Sequence, residues 1–289
     1  MGLCVKLSVS RFSAAVIAWL LGIVGLVTSI SVRTVQRWLA AERLKPWQFR
    51  SWITPKNLKT FPEPGKDILD LYERVAHGLL GPGEVVHCLD EKTSIQARSR
   101  ANYSPPREGE PARVEHTYKR LGAVQLYGSL DVAAGRTFEQ VQPKKDFATF
   151  SRFLAALIGK AVAAGARIIH LIMDNGSLHR PEYLSTWLAE WLRDQGYTQV
   201  KVVLHWLPPR SSWLNQVAII FSLVQTQVLM PNNCASTDEV AARILAYLAL
   251  RNQNPRPVEW TCTSAQLCKK YDAAPSTVTP ASPTRVVAA

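Results

Sequence analysis

The sequence predicts an α/β fold: a mixed five-stranded sheet flanked by helices, preceded by a small helical region. Three observations lead there. The chain has 289 residues, 47% hydrophobic and 19% charged, enough to bury a core of domain size. Three strand-like runs follow one another after residue 83, and strand-length and helix-length apolar segments then alternate. Before residue 60 the apolar residues recur only at helical spacing. Consecutive strands form a meander and helix-separated strands add in parallel, so the sheet is mixed.

The helical region covers residues 1–60. No formal charge lies between Arg11 and Arg33, so segment 12–32 is long enough for a membrane span or a secretion signal. Its unbroken apolar part, Ala14 to Val27, contains Gly22 and Gly25 and ends without a small-x-small cleavage site, which favours a buried helix. Ser31 is placed to cap a helix running to about Ala41. Val32, Val35, Trp38 and Leu39 form its apolar stripe, with Arg33, Thr34, Gln36 and Arg37 opposite. An apolar helix, a tight connection and a second helix displaying Arg, Gln and Thr fit a helix-turn-helix. An ordinary solvated helix gives the same pattern.

Residues 61–83 form a linker and helix. Pro55, Pro62, Pro64 and Gly65 break the chain, and Ile68, Leu71, Tyr72, Val75 and Leu79 mark a helix to about Leu80. Residues 84–272 carry the α/β domain. The first strand runs from Glu84 to Leu89, with Asp90-Glu91 directly after it. Strands over 123–132 and 137–141 follow a long basic loop holding Arg98, Arg100, Arg107, Arg113, Lys119 and Arg120. A helix from about Lys145 to Val162 buries Phe147, Phe150, Phe153, Leu154 and Leu157. The strand Ala166 to Met173 ends in Asp174-Asn175-Gly176, and Leu184, Trp187, Leu188, Trp191 and Leu192 mark the next helix. Val200 to Trp206 is a fifth strand, stopped by Pro208-Pro209, and helices over about 215–229 and 238–252 close the domain. The tail, 273–289, is rich in Pro, Ser, Thr and Ala and reads as disordered.

Lys plus Arg number 34 against 22 Asp plus Glu, a net charge of +12 that suits a polyanionic partner. Five scattered cysteines with no C-x-x-C pair argue against a disulfide scaffold and a zinc ribbon, and for a reducing, cytoplasmic setting. Asp90 and Asp174 each follow a buried strand, where functional groups gather in α/β folds. If the strands are neighbours, the two carboxylates converge and suit a hard cation such as Mg²⁺, used in phosphodiester chemistry. Taken singly, each aspartate has an alternative as a turn or capping residue.

Three segments in order carry a resemblance: Leu89-Asp90-Glu91-Lys92-Thr93-Ser94-Ile95-Gln96, Met173-Asp174-Asn175-Gly176-Ser177-Leu178-His179, and Ser212-Trp213-Leu214-Asn215-Gln216-Val217. His116-Thr117-Tyr118-Lys119-Arg120, Tyr247-Leu248, Asn252 to Pro257 and Trp260-Thr261 also fit. Over about residues 29 to 271 the chain resembles the DDE transposases of bacterial insertion sequences, in the mariner-like superfamily. The resemblance implies an RNase H-like domain behind a helix-turn-helix that binds terminal inverted repeats. It implies strand cleavage and strand transfer with Mg²⁺ or Mn²⁺, on double-stranded DNA, by a homodimer on paired ends. The setting implied is the bacterial cytoplasm and nucleoid, without stable membrane association.

Asp90 and Asp174 match the family's first two metal-binding acids, and His179 and Asn215 fall near the site. A surface-loop histidine is the alternative for His179. Arg33, Gln36, Arg37, Lys119 and Arg120 are the DNA-binding candidates. Where the family has its third acid, a Glu, this chain has Ala218. Val217, Ile220, Phe221, Val224 and Val228 form the buried stripe of that helix, and Ala218 shares the other face with Asn215, Ser222 and Gln225. No Asp or Glu lies between Asp194 and Asp238. The departure implies impaired catalysis, with a non-catalytic DNA-binding remnant or regulator as the alternative. Fewer residues precede Ser29 than the family usually carries, which suggests a truncated start.

Overall fold

The computed structural model describes residues 12–42, 62–176, 179–271 and 285–288. The break expected at Pro55, motif residues Ser177 and Leu178, and tail residues 273–284 and 289 lie outside them. The chain divides into two compact units, Met1–Ile53 and Thr54–Ala289.

The first unit shows two helices, α1 (Ala14–Ile23) and α2 (Val32–Ala41). Ser13 caps α1 by accepting from the Val16 N–H at 3.2 Å, and Ser31 caps α2 by accepting from the Thr34 N–H at 3.0 Å. Helix α1 has ten residues and stops before Gly25, whose φ of +71° suits a glycine. Among the described residues no helix is long and apolar enough to cross a membrane. The apolar stripe expected of α2 is only partly buried. Val35 is covered, whereas Val32 and Trp38 are exposed. Spacing groups residues on one face but does not supply the element that would cover it. Arg33, Gln36 and Arg37 are exposed.

The second unit opens with α3 (Pro62–Ala76) and β1 (Glu84–Ser99). A short hairpin of β2 (Tyr103–Ser104) and β3 (Arg113–Val114) leads to β4 (Lys119–Asp131), β5 (Thr137–Gln142) and α4 (Phe147–Ala163). Then come β6 (Ile168–Met173), α5 (Pro181–Asp194), β7 (Lys201–Trp206), a 3₁₀ turn (Ser212–Leu214) and α6 (Val217–Gln227). Helices α7 (Thr237–Gln253) and α8 (Ser264–Tyr271) precede β8 (Arg285–Ala288).

The sheet order is β5-β4-β1-β6-β7-β8. Strands β4 and β5 join β1 as an antiparallel meander, and β1, β6 and β7 run parallel. These are the five strands expected. The sixth lies within the tail expected to be disordered, and for these four residues differs from that expectation: Arg285–Ala288 pairs antiparallel with the β7 edge. Strand β1 is also longer than its expected end at Leu89. It continues through Asp90 to Ser99 beside β4, with register shifts between Lys92 and Ile95 and between Gln96 and Arg98.

Alternation along the strands builds two cores. Val86, Cys88, Leu126 and Ile172 face α3, α6 and α7. Leu89, Tyr127, Leu171 and Met173 face α4 and α5. At Gly128 a β-carbon would lie 2.6 Å from the Phe221 ring, so this glycine lets α6 approach β4.

Candidate active site

Parallel pairing brings the two aspartates together. Cys88 pairs with Ile172, and carrying that register two residues forward sets Asp90 level with Asp174. Both positions share the side-chain parity of Cys88 and Ile172, on the face covered by α6. Asp90 lies within β1 rather than after it, and its Oδ1 accepts from the Glu91 N–H at 2.8 Å. Asp174 lies just past β6, with half of its side chain exposed.

Environment separates the two carboxyls. Burial, with the added charges of Glu91 and Asp174, pushes Asp90 up to about 6. Asp174 is held below the usual carboxylate range, first by its hydrogen bond from His179. His179 Nδ1 donates to Asp174 Oδ1 at 2.6 Å, and the Gly176 N–H donates to the same oxygen at 3.1 Å. A side chain at Gly176 would crowd that oxygen at 3.0 Å.

The other nitrogen of His179, Nε2, donates to Glu91 Oε1 at 2.9 Å, and Lys145 Nζ lies 3.3 Å from Glu91 Oε2. The Glu91 side chain is only 2% exposed. Burial by itself lowers the basicity of His179, but bonds to two carboxylates outweigh it and raise the ring to about 9, an imidazolium at neutral pH. The Trp206 Nε1–H donates to the His179 carbonyl, and the Phe150 ring packs at 4.5 Å. His179 is therefore a buried bridge beside Asp174, not a surface-loop residue.

Asn215, also buried, donates from Nδ2 to the Leu89 carbonyl at 2.7 Å, one residue before Asp90. Tyr72 holds the preceding turn by donating to the Leu214 carbonyl. Ala218 stands in the first turn of α6. With Glu91, Lys92, Thr93, Phe221, Ser222 and Gln225 it lines a groove of about 490 Å³. Among the described residues no three His, Cys, Asp or Glu side chains are grouped to hold a metal ion.

Asp90, Asp174, His179 and Asn215 thus gather at one sheet edge. Lys119 and Arg120 do not join them. They are exposed on the distal part of the β1–β4 ribbon, opposite Ser99 and Arg98. Beside them the Tyr118 ring lies under the guanidinium groups of Arg98 and Arg100, at 4.6 and 5.4 Å. Arg33, Gln36 and Arg37 belong to the first unit. Glu91 and Lys145 are the site residues that sequence reasoning gave no role. Extending the alternation of β1 two residues past Leu89 would have set Glu91 on the α4 face.

Level carboxylates on neighbouring parallel strands, in a mixed sheet covered on both faces, are the mark of the RNase H-like class. The chain belongs to the DDE superfamily endonucleases, whose family model matches residues 85–241. Similar solved structures include the Mos1 mariner paired-end complex with Mn, at 14% identity, TM-score 0.50, and 94% of this chain against 75% of that one. The Mos1 catalytic domain matches at 12% identity and TM-score 0.42, over 78% of this chain and 95% of that one. The catalytic core of BIV integrase matches at 12% identity and TM-score 0.35, over 66% and 97%. No curated protein matches the chain.

Proposed function

We propose that this is a transposase-family protein whose reaction is cleavage and strand transfer at bacterial insertion-sequence ends, impaired here because Ala218 stands in the third acid's place. The observation that carries the reading is the level pair Asp90 and Asp174 on the face covered by α6, the helix that bears Ala218 in its first turn. Mos1 structures with Mn and with Mg agree with a divalent ion. Here the donors are hard oxygens, right in kind for Mg²⁺ or Mn²⁺, and short by the one that alanine lacks.

Asp90 and Asp174 would hold the metal. When bound, it supplies Lewis-acid stabilisation of charge on the scissile phosphate. The remaining tasks fall to the chain. His179 and Gly176 both bond Asp174 Oδ1, which leaves Oδ2 to face the substrate. Asn215 fixes the β1 backbone at Leu89 and so the position of Asp90. Glu91 and Lys145 orient His179 from behind.

Arg33, Gln36 and Arg37 read the terminal inverted repeats from α2, acting as the recognition helix of residues 1–60. Lys119 and Arg120 contact phosphates of end or target DNA. Pairing of ends implies a homodimer in the nucleoid. The test is nicking of duplex DNA carrying the element's own ends with Mg²⁺ or Mn²⁺. Wild type should nick poorly and Ala218→Glu at least tenfold faster. Equal rates would show that position 218 is not the missing corner.

A DNA-binding regulator without catalysis is the second reading. The uncovered basic face of α2 favours it, since binding there needs no metal. It requires a gel shift that survives chelation and weakens steeply with salt.

A further inference from the structure

A second site lies on the α4 face of the sheet. Between the start of β1, the β4–β5 turn and the end of α4 is a cavity of about 470 Å³, the size of a small-ligand pocket. Val85, Phe138 and Leu157 form part of its apolar wall, and Gly83 and Gly165 lie on its lining. A β-carbon on Gly165 would meet nothing within 4 Å, so this side is open. His87 has the opposite strand parity to Asp90, so the cavity and the aspartate pair occupy different faces.

Three basic side chains line it. His87 is 9% exposed, and its Nδ1 is hydrogen-bonded to Ser129 Oγ at 3.0 Å. That bond fixes the ring, and Nε2 has no partner among the described residues. Arg136 and Lys160 are exposed and form no ion pair among the described residues, and Lys160 Nζ lies 5.2 Å from the Phe138 ring centre. Asp131 also lines the cavity, but its Oδ1 accepts the Ala133 and Ala134 N–H groups at 2.9 Å. Glu84 is bound to Arg74 and His170. Arg136 and Lys160 thus lie over an apolar floor with no direct ion pair, while Asp131 and Glu139 act on His87 and Lys160 only at longer range.

We propose that this cavity binds a small anion with an apolar body, a carboxylate or a phosphate monoester. Arg136 and Lys160 take the charge and His87 Nε2 makes the buried hydrogen bond. The inference does not rest on the transposase reading, because none of these residues belongs to the Asp90–Asp174 site.

The test is NMR of the full-length protein with ¹³C-labelled histidine, the His87 signal being assigned with His87→Gln. Phenyl phosphate and phenylacetate are the probes, with phenol as the neutral control. A saturable shift of His87 with either anion, weakened tenfold or more in the Arg136→Gln/Lys160→Gln variant, is the expected result. A response to one anion alone identifies its headgroup as the ligand's. Both substitutions are at exposed positions, and a wild-type melting temperature confirms the variant's fold. No His87 shift with either anion, phenol acting equally well, or unchanged affinity in the double variant would overturn the proposal.

Discussion

Two histidine–carboxylate networks cross this domain, and the histidine beside Asp174 is charged whereas His170 is neutral. At the functional edge His179 lies between Asp174 and Glu91, and the two carboxylates keep its ring protonated. Away from that edge, a chain runs from Asp67 through His205 and His170 to Glu84 and Arg74. There burial and the neighbouring His205 lower His170, so that ring stays neutral. Glu84, although desolvated, is held below the usual range by the Gly81 N–H, Arg74 and His170. The same residue types therefore do different work. The first network concentrates charge beside the aspartates, and the second ties α3 to β1, β6 and β7.

The largest effect expected separates catalysis from scaffolding. In the Ala218→Glu background, Asp174→Asn should remove metal-dependent nicking altogether, while Glu84→Gln should leave it measurable. Loss of nicking in both would mean that the networks are not distinct in role.

Next is the buried bridge itself. His179→Ala removes the buried one of Glu91's two partners and leaves it only the half-exposed Lys145, and breaking a buried pair costs about 3–5 kcal/mol. Denaturant unfolding should show a loss of that order. A loss near zero would place Glu91 in water rather than under α4.

The second network gives a smaller, pH-dependent effect. The unfolded chain protonates His170 near 6.5, which the folded protein resists, so this group's contribution falls as pH drops below about 6.5. Glu84 acts in the same direction, losing its contribution as pH falls below about 4.5. Between pH 6.5 and 5, stability of wild type should decline more steeply than that of His170→Gln, by at most ~1.4 kcal/mol per pH unit. Parallel curves would mean that His170 titrates normally. The smallest effect is Ser31→Ala, about 1 kcal/mol from the lost α2 cap, read as reduced helicity on heating.

Much of this organisation was legible in the residues. Apolar runs ending at Leu89 and Met173 marked two strands, whose adjacency only the sheet supplies, and the α6 stripe of Val217, Ile220, Phe221 and Val224 is buried as spaced. What escaped depends on contacts distant in sequence. Glu91 gains its role only once β1 continues past Asp90, and Lys145 only once α4 docks beside it. The short Arg285–Ala288 strand is hidden in a Pro/Ser/Thr/Ala background, and the open edge of β7 gives it order. Trp38 has core spacing in α2 but remains exposed.

The most direct test of the missing-ligand claim is a Mn²⁺ titration of the free protein by calorimetry, comparing wild type with Ala218→Glu. If position 218 is the third corner, a carboxylate there should tighten binding tenfold or more, with Asp174→Asn abolishing the gain. Equal affinity in wild type and Ala218→Glu would contradict it.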